Sequence, residues 1–245
     1  MQVIDAQGIH YKELNKKIKT LIEQGKREII LNNVMGQRYI GNGIKKPVEL
    51  IINGIPGNDM AAFASGVKIT VNGNIQDAVA NTMNGGKLII HGDARDVLGY
   101  AMRGGNIYIK GSAGYRVGIH MKGYQDKQPV IIIGGVAGNF MGEYMAGGRL
   151  ILLGLERGEK EPIAGNFIGA GMHGGIIYIR DKVEDYQVGL EVEIKEVDKK
   201  DRQELRKLLA SYCHECKLEV DEIMDAYFSR LTPVSSRPYG NLYAY

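Results

Sequence analysis

Cys213-His-Glu-Cys216 sets two thiols three residues apart, the spacing of zinc and dithiol redox sites when a second ligand pair completes them. No second cysteine pair exists in the sequence, so both thiols read as small apolar groups of one helix beside Tyr212. An intermolecular zinc site is the alternative. Gly169-Ala-Gly171-Met-His-Gly174 spells G-x-G-x-x-G, which binds a pyrophosphate when it joins a strand to the N-terminus of a helix. Here the following residues, Ile176 to Ile179, look like a strand, so the glycines read as structural. His91, His120 and His173 are the remaining ligand candidates in the middle of the chain, and Arg95 and Arg116 read as solvated charges. No serine nucleophile motif, P-loop or paired-carboxylate spacing stands out.

The elements that must position these residues follow from glycine. The 245 residues contain 34 glycines and only 6 prolines, and 30 of the glycines fall between residues 32 and 180. Gly66, Gly85, Gly104, Gly123, Gly147 and Gly174 recur at spacings of 19, 19, 19, 24 and 27, each ahead of an apolar run. Met83, Met102, Met121, Met145 and Met172 stand two residues before the last five, and Ala64 fills that place in the first unit. Gly54, Gly73, Gly92, Gly111, Gly135 and Pro162 stand ten residues before those positions and serve as unit markers. Six residues after each marker comes Met60, Val79, Leu98, Val117, Met141 or Ile168; seven after comes Ala61, Ala80, Gly99, Gly118, Gly142 or Gly169. An apolar column beside a column of the smallest residues is what identical stacked neighbours need: an inward ladder and a crowded corner with positive φ.

Nineteen residues are too few for a βαβ unit, which takes about 30, and no unit carries a helical period. Each offers one β-rich run: Lys68 to Val71, Leu88 to Ile90, Ile107 to Ile109, Val130 to Ile133, Leu150 to Leu153 and Ile176 to Ile179. The expected fold is therefore all-β, a single-stranded right-handed parallel β-helix of about seven coils, with polar bulges at Tyr124 to Gln128 and Glu156 to Glu161. The expected segments are 1–31, an α/β cap; 32–194, the β-helix; and 195–245, a helical segment and tail. Leu14, Ile18, Leu21 and Ile22 mark an N-terminal helix ending at Gly25, followed by a strand over Glu28 to Leu31. After an Asp198 N-cap, one helix carries Leu205, Leu208, Leu209 and Tyr212, and a second carries Val220, Ile223, Met224, Tyr227 and Leu231 up to Pro233. These helices are expected to cap the stack. The three histidines fall in different columns, so stacking does not gather them. The tail, Pro233 to Tyr245, reads equally as a docking arm or as a disordered end.

Composition excludes other classes. A net charge of +3 without a basic stripe gives little reason to expect nucleic acid, and no run approaches the ~18 apolar residues of a membrane span. The N-terminus lacks signal-peptide character, and two cysteines make no disulfide framework; a cytoplasmic protein is expected.

Longer stretches resemble a known family. Gly36-Gln-Arg-Tyr-Ile-Gly-Asn-Gly43, Gly54-Ile-Pro-Gly-Asn-Asp59, Gly73-Asn-Ile-Gln-Asp77 with Asn81-Thr-Met83, Gly114-Tyr-Arg-Val-Gly-Ile-His-Met-Lys122 and Gly142-Glu-Tyr-Met-Ala-Gly-Gly148 resemble the C-terminal β-helix of the glutamate synthase large subunit. The resemblance runs from about Ile4 to Ile194. It implies a structural role beside a glutaminase and an FMN and iron–sulfur synthase, which together make glutamate from glutamine and 2-oxoglutarate. This sequence lacks an N-terminal catalytic cysteine and a cluster-binding cysteine set. The implied protein is a non-catalytic subunit of a split enzyme, with FMN and iron–sulfur on its partners, no catalytic, cofactor or metal residue of its own, and self-association left open. The glycine-repeat β-helix subunit of formylmethanofuran dehydrogenase is the weaker resemblance; an independent β-helix zinc enzyme is the remaining alternative.

Overall fold

The computed structural model describes residues 1–124, 126–158 and 161–235. The expected tail from Ser236 onward, together with parts of both expected bulges, lies outside the described residues. One sheet of eleven strands runs the length of the molecule, in the order β1-β2-β3-β4-β5-β6-β7-β8-β9-β11-β10. The strands are β1 (Gln2–Asp5), β2 (Glu28–Met35), β3 (Glu49–Ile55), β4 (Lys68–Asn72), β5 (Asn84–Ile90), β6 (Gly104–Ile109), β7 (Val130–Ile133), β8 (Ala146–Leu152), β9 (Gly174–Ile179), β10 (Val192–Glu196) and β11 (Ser229–Pro233). From β1 to β9 every neighbour is parallel and next in sequence, the topology of a solenoid of about six turns rather than seven.

Register makes the ladders continuous. Ile29, Leu50, Ile69, Leu88, Ile107, Ile131, Leu150 and Ile177 pair in succession, and all are fully buried. Opposite them, inside the coil, lie the predicted columns: Met60, Val79, Leu98, Val117, Met141 and Ile168, with Met83, Met102, Met121, Met145 and Met172, none more than 1% exposed. Each buried aliphatic side chain contributes roughly 1.5–3 kcal/mol, and a repeat lets one solution serve every coil.

The rest of each coil is held by hydrogen bonds that alternate in direction. In one coil, Ala78 N donates to Asp96 O of the next (2.9 Å), Ala80 N to Met60 O of the previous (2.8 Å), Thr82 N to Tyr100 O of the next (2.7 Å) and Asn84 N to Ala64 O of the previous (2.8 Å). Alternation requires every second residue to be left-handed, as Ala78, Ala80 and Thr82 are, with φ of 57°, 63° and 52°. Side chains add a second stitch: Asn72 Nδ2 donates to Asn53 Oδ1 and Asn53 Nδ2 to Asn32 Oδ1, both at 2.7 Å.

The six repeat glycines serve a different purpose from positive φ. Their φ values are ordinary, but a Cβ on Gly66 would lie 2.5 Å from Lys45 O, and one on Gly174 would lie 2.5 Å from Ala146 O. Gly85, Gly104, Gly123 and Gly147 are crowded in the same way by a neighbouring coil or bulge. Positive φ belongs to the tiny column instead, with Ala61, Ala80, Gly99, Gly118, Gly142 and Gly169 all between 60° and 72°.

The flanks differ from expectation in detail. Helix α1 (Tyr11–Glu23) buries Leu14, Ile18 and Ile22 over the first coil, as the apolar spacing predicts. Helix α2 (Lys199–Cys216), capped by Asp198, does not close the end of the stack. It lies along the outer face of the sheet, where Leu205, Leu209 and Tyr212 pack on Ile89, Tyr108, Ile132, Ile151 and Tyr178. Those outward residues are why the later strands are apolar on both faces. Helix α3 stops early (Val220–Met224), and Leu231, expected on it, sits in β11 opposite Ile177. Strand β11 is antiparallel to β9 and β10, so the parallel run stops at β9 and β10 becomes the edge strand beyond a reversed one.

Candidate functional site

The structure separates the residues that first suggested chemistry. His91 follows β5, His120 sits on a corner and His173 precedes β9; among the described residues no group of three or more His, Cys, Asp or Glu is placed to hold a metal. Cys213 and Cys216 are buried in α2, and burial pushes both thiols up, Cys213 to about 11. Zinc and iron–sulfur clusters bind thiolates, and a cluster takes about four; two buried, protonated thiols do not fit. Gly169 and Gly171 belong to a corner that leads into β9, not into a helix, and a Cβ on Gly171 would press on the Tyr144 ring.

What the fold brings together is a surface of rings, which the sequence columns contained but glycine and methionine spacing did not single out. Five and nine residues after the unit markers, the alternating backbone turns side chains outward. Arg116, Phe140 and Phe167 occupy the first of these columns, His120 and Tyr144 the second. All five have positive φ, from 52° to 63°. The Phe140 and Phe167 rings stack with centroids 4.8 Å apart and planes 13° apart, and the Arg116 guanidinium caps Phe140 at 4.7 Å. His120 stacks on Tyr144, and Tyr100 meets the edge of His120 at 5.7 Å. Glu143 joins the two columns, since Arg116 Nη1 donates to its Oε2 at 2.8 Å while His120 N donates to its backbone O at 2.9 Å.

Bulky side chains in the left-handed region cost roughly 1–2 kcal/mol apiece, which glycine avoids. Stacking returns about 0.5–1.5 kcal/mol per pair. The rings nevertheless stay uncovered: Phe167 is 50% exposed, Tyr144 41% and Tyr100 38%. Exposed aromatic residues are enriched at protein–protein interfaces relative to the rest of a protein surface.

The first coil carries a cleft of about 1240 Å³ walled by Gln7 to Tyr11, Asn32 to Arg38, Asn53 and Gly54. Gln37 builds it: its Oε1 accepts from Met35 N (2.6 Å), and its Nε2 donates to Ala6 O (2.9 Å) and Ile9 O (3.2 Å), tying the β1–α1 loop to the coil. Among the described residues, no helix is long and apolar enough to cross a membrane.

A parallel solenoid with these columns defines a class, and the comparison with known families agrees. The GXGXG motif family matches residues 2–235, and the chain belongs to that family. This bears out the resemblance to the GXGXG β-helix of the glutamate synthase large subunit. The chain is also 43% identical over 249 residues to the uncharacterized protein MJ1350 of Methanocaldococcus jannaschii, across 98% of this chain and 95% of that protein.

Proposed function

We propose that this chain is the non-catalytic scaffold subunit of a split glutamate synthase, holding a glutaminase and an FMN and iron–sulfur synthase at a fixed separation. The observation that carries the reading is the corner surface: stacked rings of Tyr100, His120, Tyr144, Phe140 and Phe167, held by a backbone that alternates its hydrogen bonds between coils. It is supported by the family match and by the long motifs shared with the large-subunit β-helix.

In this reading the partners perform the chemistry. Ammonia released from glutamine must reach the flavin site before it escapes to solvent, so the two centres must stay in one geometry. A stack stitched along every coil flexes less than a linker of the same length. FMN and the iron–sulfur cluster reside on the partners, and this chain contributes distance and orientation.

The test is reconstitution with the glutaminase and FMN proteins of the same organism. The expected result is a stable ternary complex that makes glutamate from glutamine faster than the two partners alone. A chain that remains free, and whose omission leaves glutamine-dependent activity unchanged, would refute the proposal.

A further inference from the structure

Away from the corner rings, the start of the molecule concentrates positive charge. Residues 10–46 contain nine Lys and Arg against three Asp and Glu, whereas residues 181–232 contain nine against fourteen. Lys12, Lys16 and Lys19 follow one another at helical spacings of four and three on α1, a stripe about 10 Å long. They line a groove of about 660 Å³ between α1 and the first corner, with Tyr11, Asn15, Thr20, Tyr39 and Asn42; Glu23 is its single carboxylate.

The groove is built rather than incidental. Asn15 Nδ2 donates to Arg38 O at 2.8 Å, fixing α1 to the corner. Tyr11 meets Tyr39 edge-on at 5.6 Å, and the Arg38 guanidinium lies 5.0 Å from the Tyr11 ring. Lys12, Lys16, Lys19 and Arg38 are exposed and make no ion pair among the described residues. Further along the stack Lys68, Lys87 and Arg149 each reach a carboxylate, at 2.9, 3.1 and 2.8 Å.

We infer that this groove docks an acidic segment of a partner protein. Unpaired cations along one wall supply complementary charge, and the Tyr11 and Tyr39 rings supply apolar contact for side chains between the acids. A polypeptide fits this mixture better than nucleic acid, because the cations form one short stripe rather than a track and the rings meet edge to face within the protein. The inference is independent of the glutamate synthase reading and concerns the first-coil end of the molecule, away from the coils that carry the stacked rings.

The test uses the full chain and a fluorescein-labelled peptide of repeating Glu-Glu-Leu, with an oligo-dT of equal charge as the competing probe. Peptide binding is expected to weaken with rising salt and to fall at least tenfold in Lys12→Glu/Lys16→Glu/Lys19→Glu. It should be unchanged in Lys199→Glu/Lys200→Glu/Lys207→Glu, which reverses as many charges on α2. Lys12→Gln/Lys16→Gln/Lys19→Gln, expected to lose binding to a similar extent, serves if the reversed stripe prevents folding. Equal losses in both sets, or none in the α1 sets, overturn the proposal. Tighter binding of oligo-dT through the same lysines overturns it in favour of nucleic acid. Low-salt self-association abolished by the α1 variants overturns it in favour of a second copy.

Discussion

His120 and Tyr144, one coil apart, lie face to face with centroids 5.2 Å apart and planes 10° apart, both on left-handed backbone. Because they share a column, neither ring can turn without disturbing the other. His120→Ala/Tyr144→Ala is expected to cost about 0.5–1.5 kcal/mol, the stacking lost at an exposed corner, since alanine keeps the Cβ and with it the left-handed strain. The same pair should weaken capture of the proposed catalytic partners at least tenfold, measured by surface-immobilised binding. Normal capture by the double variant removes these rings from the interface.

Gly142 tests the tiny column. It has φ of +72°, and a Cβ there would stand 2.5 Å from Ile177 Cδ1. Gly142→Val combines backbone strain with overpacking and is expected to cost about 2–5 kcal/mol in urea unfolding. A loss under about 1 kcal/mol would show that the corner tolerates a side chain.

Tyr178 probes the contact between α2 and the sheet. Its hydroxyl bonds to Asp201 Oδ1 (2.9 Å) and Glu204 Oε2 (3.0 Å), while Arg149 pairs with Glu204 and Arg230 with Asp201. Tyr178→Phe leaves both carboxylates with their cations but one donor short, an expected cost of about 1–2 kcal/mol by chemical denaturation. No change would assign the network's strength to the arginines alone.

Alkaline pH should destabilise the protein. Burial raises the Cys213 thiol from its ordinary 9.0 to about 11 and raises the Tyr178 and Tyr212 phenols above theirs. For each, the folded state holds its proton more tightly than the unfolded chain. Their contribution is therefore complete below about pH 9 and declines as pH rises, first through the thiol and then through the phenols. Cys213→Ala should flatten the first part of that decline, between about pH 9 and 11. An identical profile in wild type and variant would place the early loss elsewhere.

The buried thiols also predict indifference to metal. EDTA should leave the melting temperature unchanged, and purified protein should carry well under one zinc per chain by elemental analysis. Stoichiometric zinc removable with loss of stability would reverse the reading of Cys213 and Cys216.

The coils were legible because a repeat states the same requirement many times. Six strand runs, the methionine ladder and the tiny column can be read from spacing alone. Elements used once cannot. Strands β1, β10 and β11 are four or five residues long and belong to no column, and Leu231 fits a helical spacing from Val220 as well as it fits a strand. Apolar runs such as Val130 to Ile133 announce burial on both faces without naming α2 as the cover. The six repeat glycines stand where spacing puts them, yet the reason for them lies in the neighbouring coil, which linear spacing does not display. The ring surface escapes a reading by columns because its residue type changes from coil to coil, from Thr82 to Ala101 to His120 to Tyr144.

Strand β11 lies between β9 and β10, although it follows both in sequence. During synthesis the sheet must therefore wait for Ser229 to Pro233 to leave the ribosome before its last parallel edge is closed. A chain halted earlier leaves the β9 edge unpaired, a template for other strands, and leaves β10 without its strand partner. The strand made last is thus the one that joins β10 to the sheet, since β10 pairs with no other strand among the described residues.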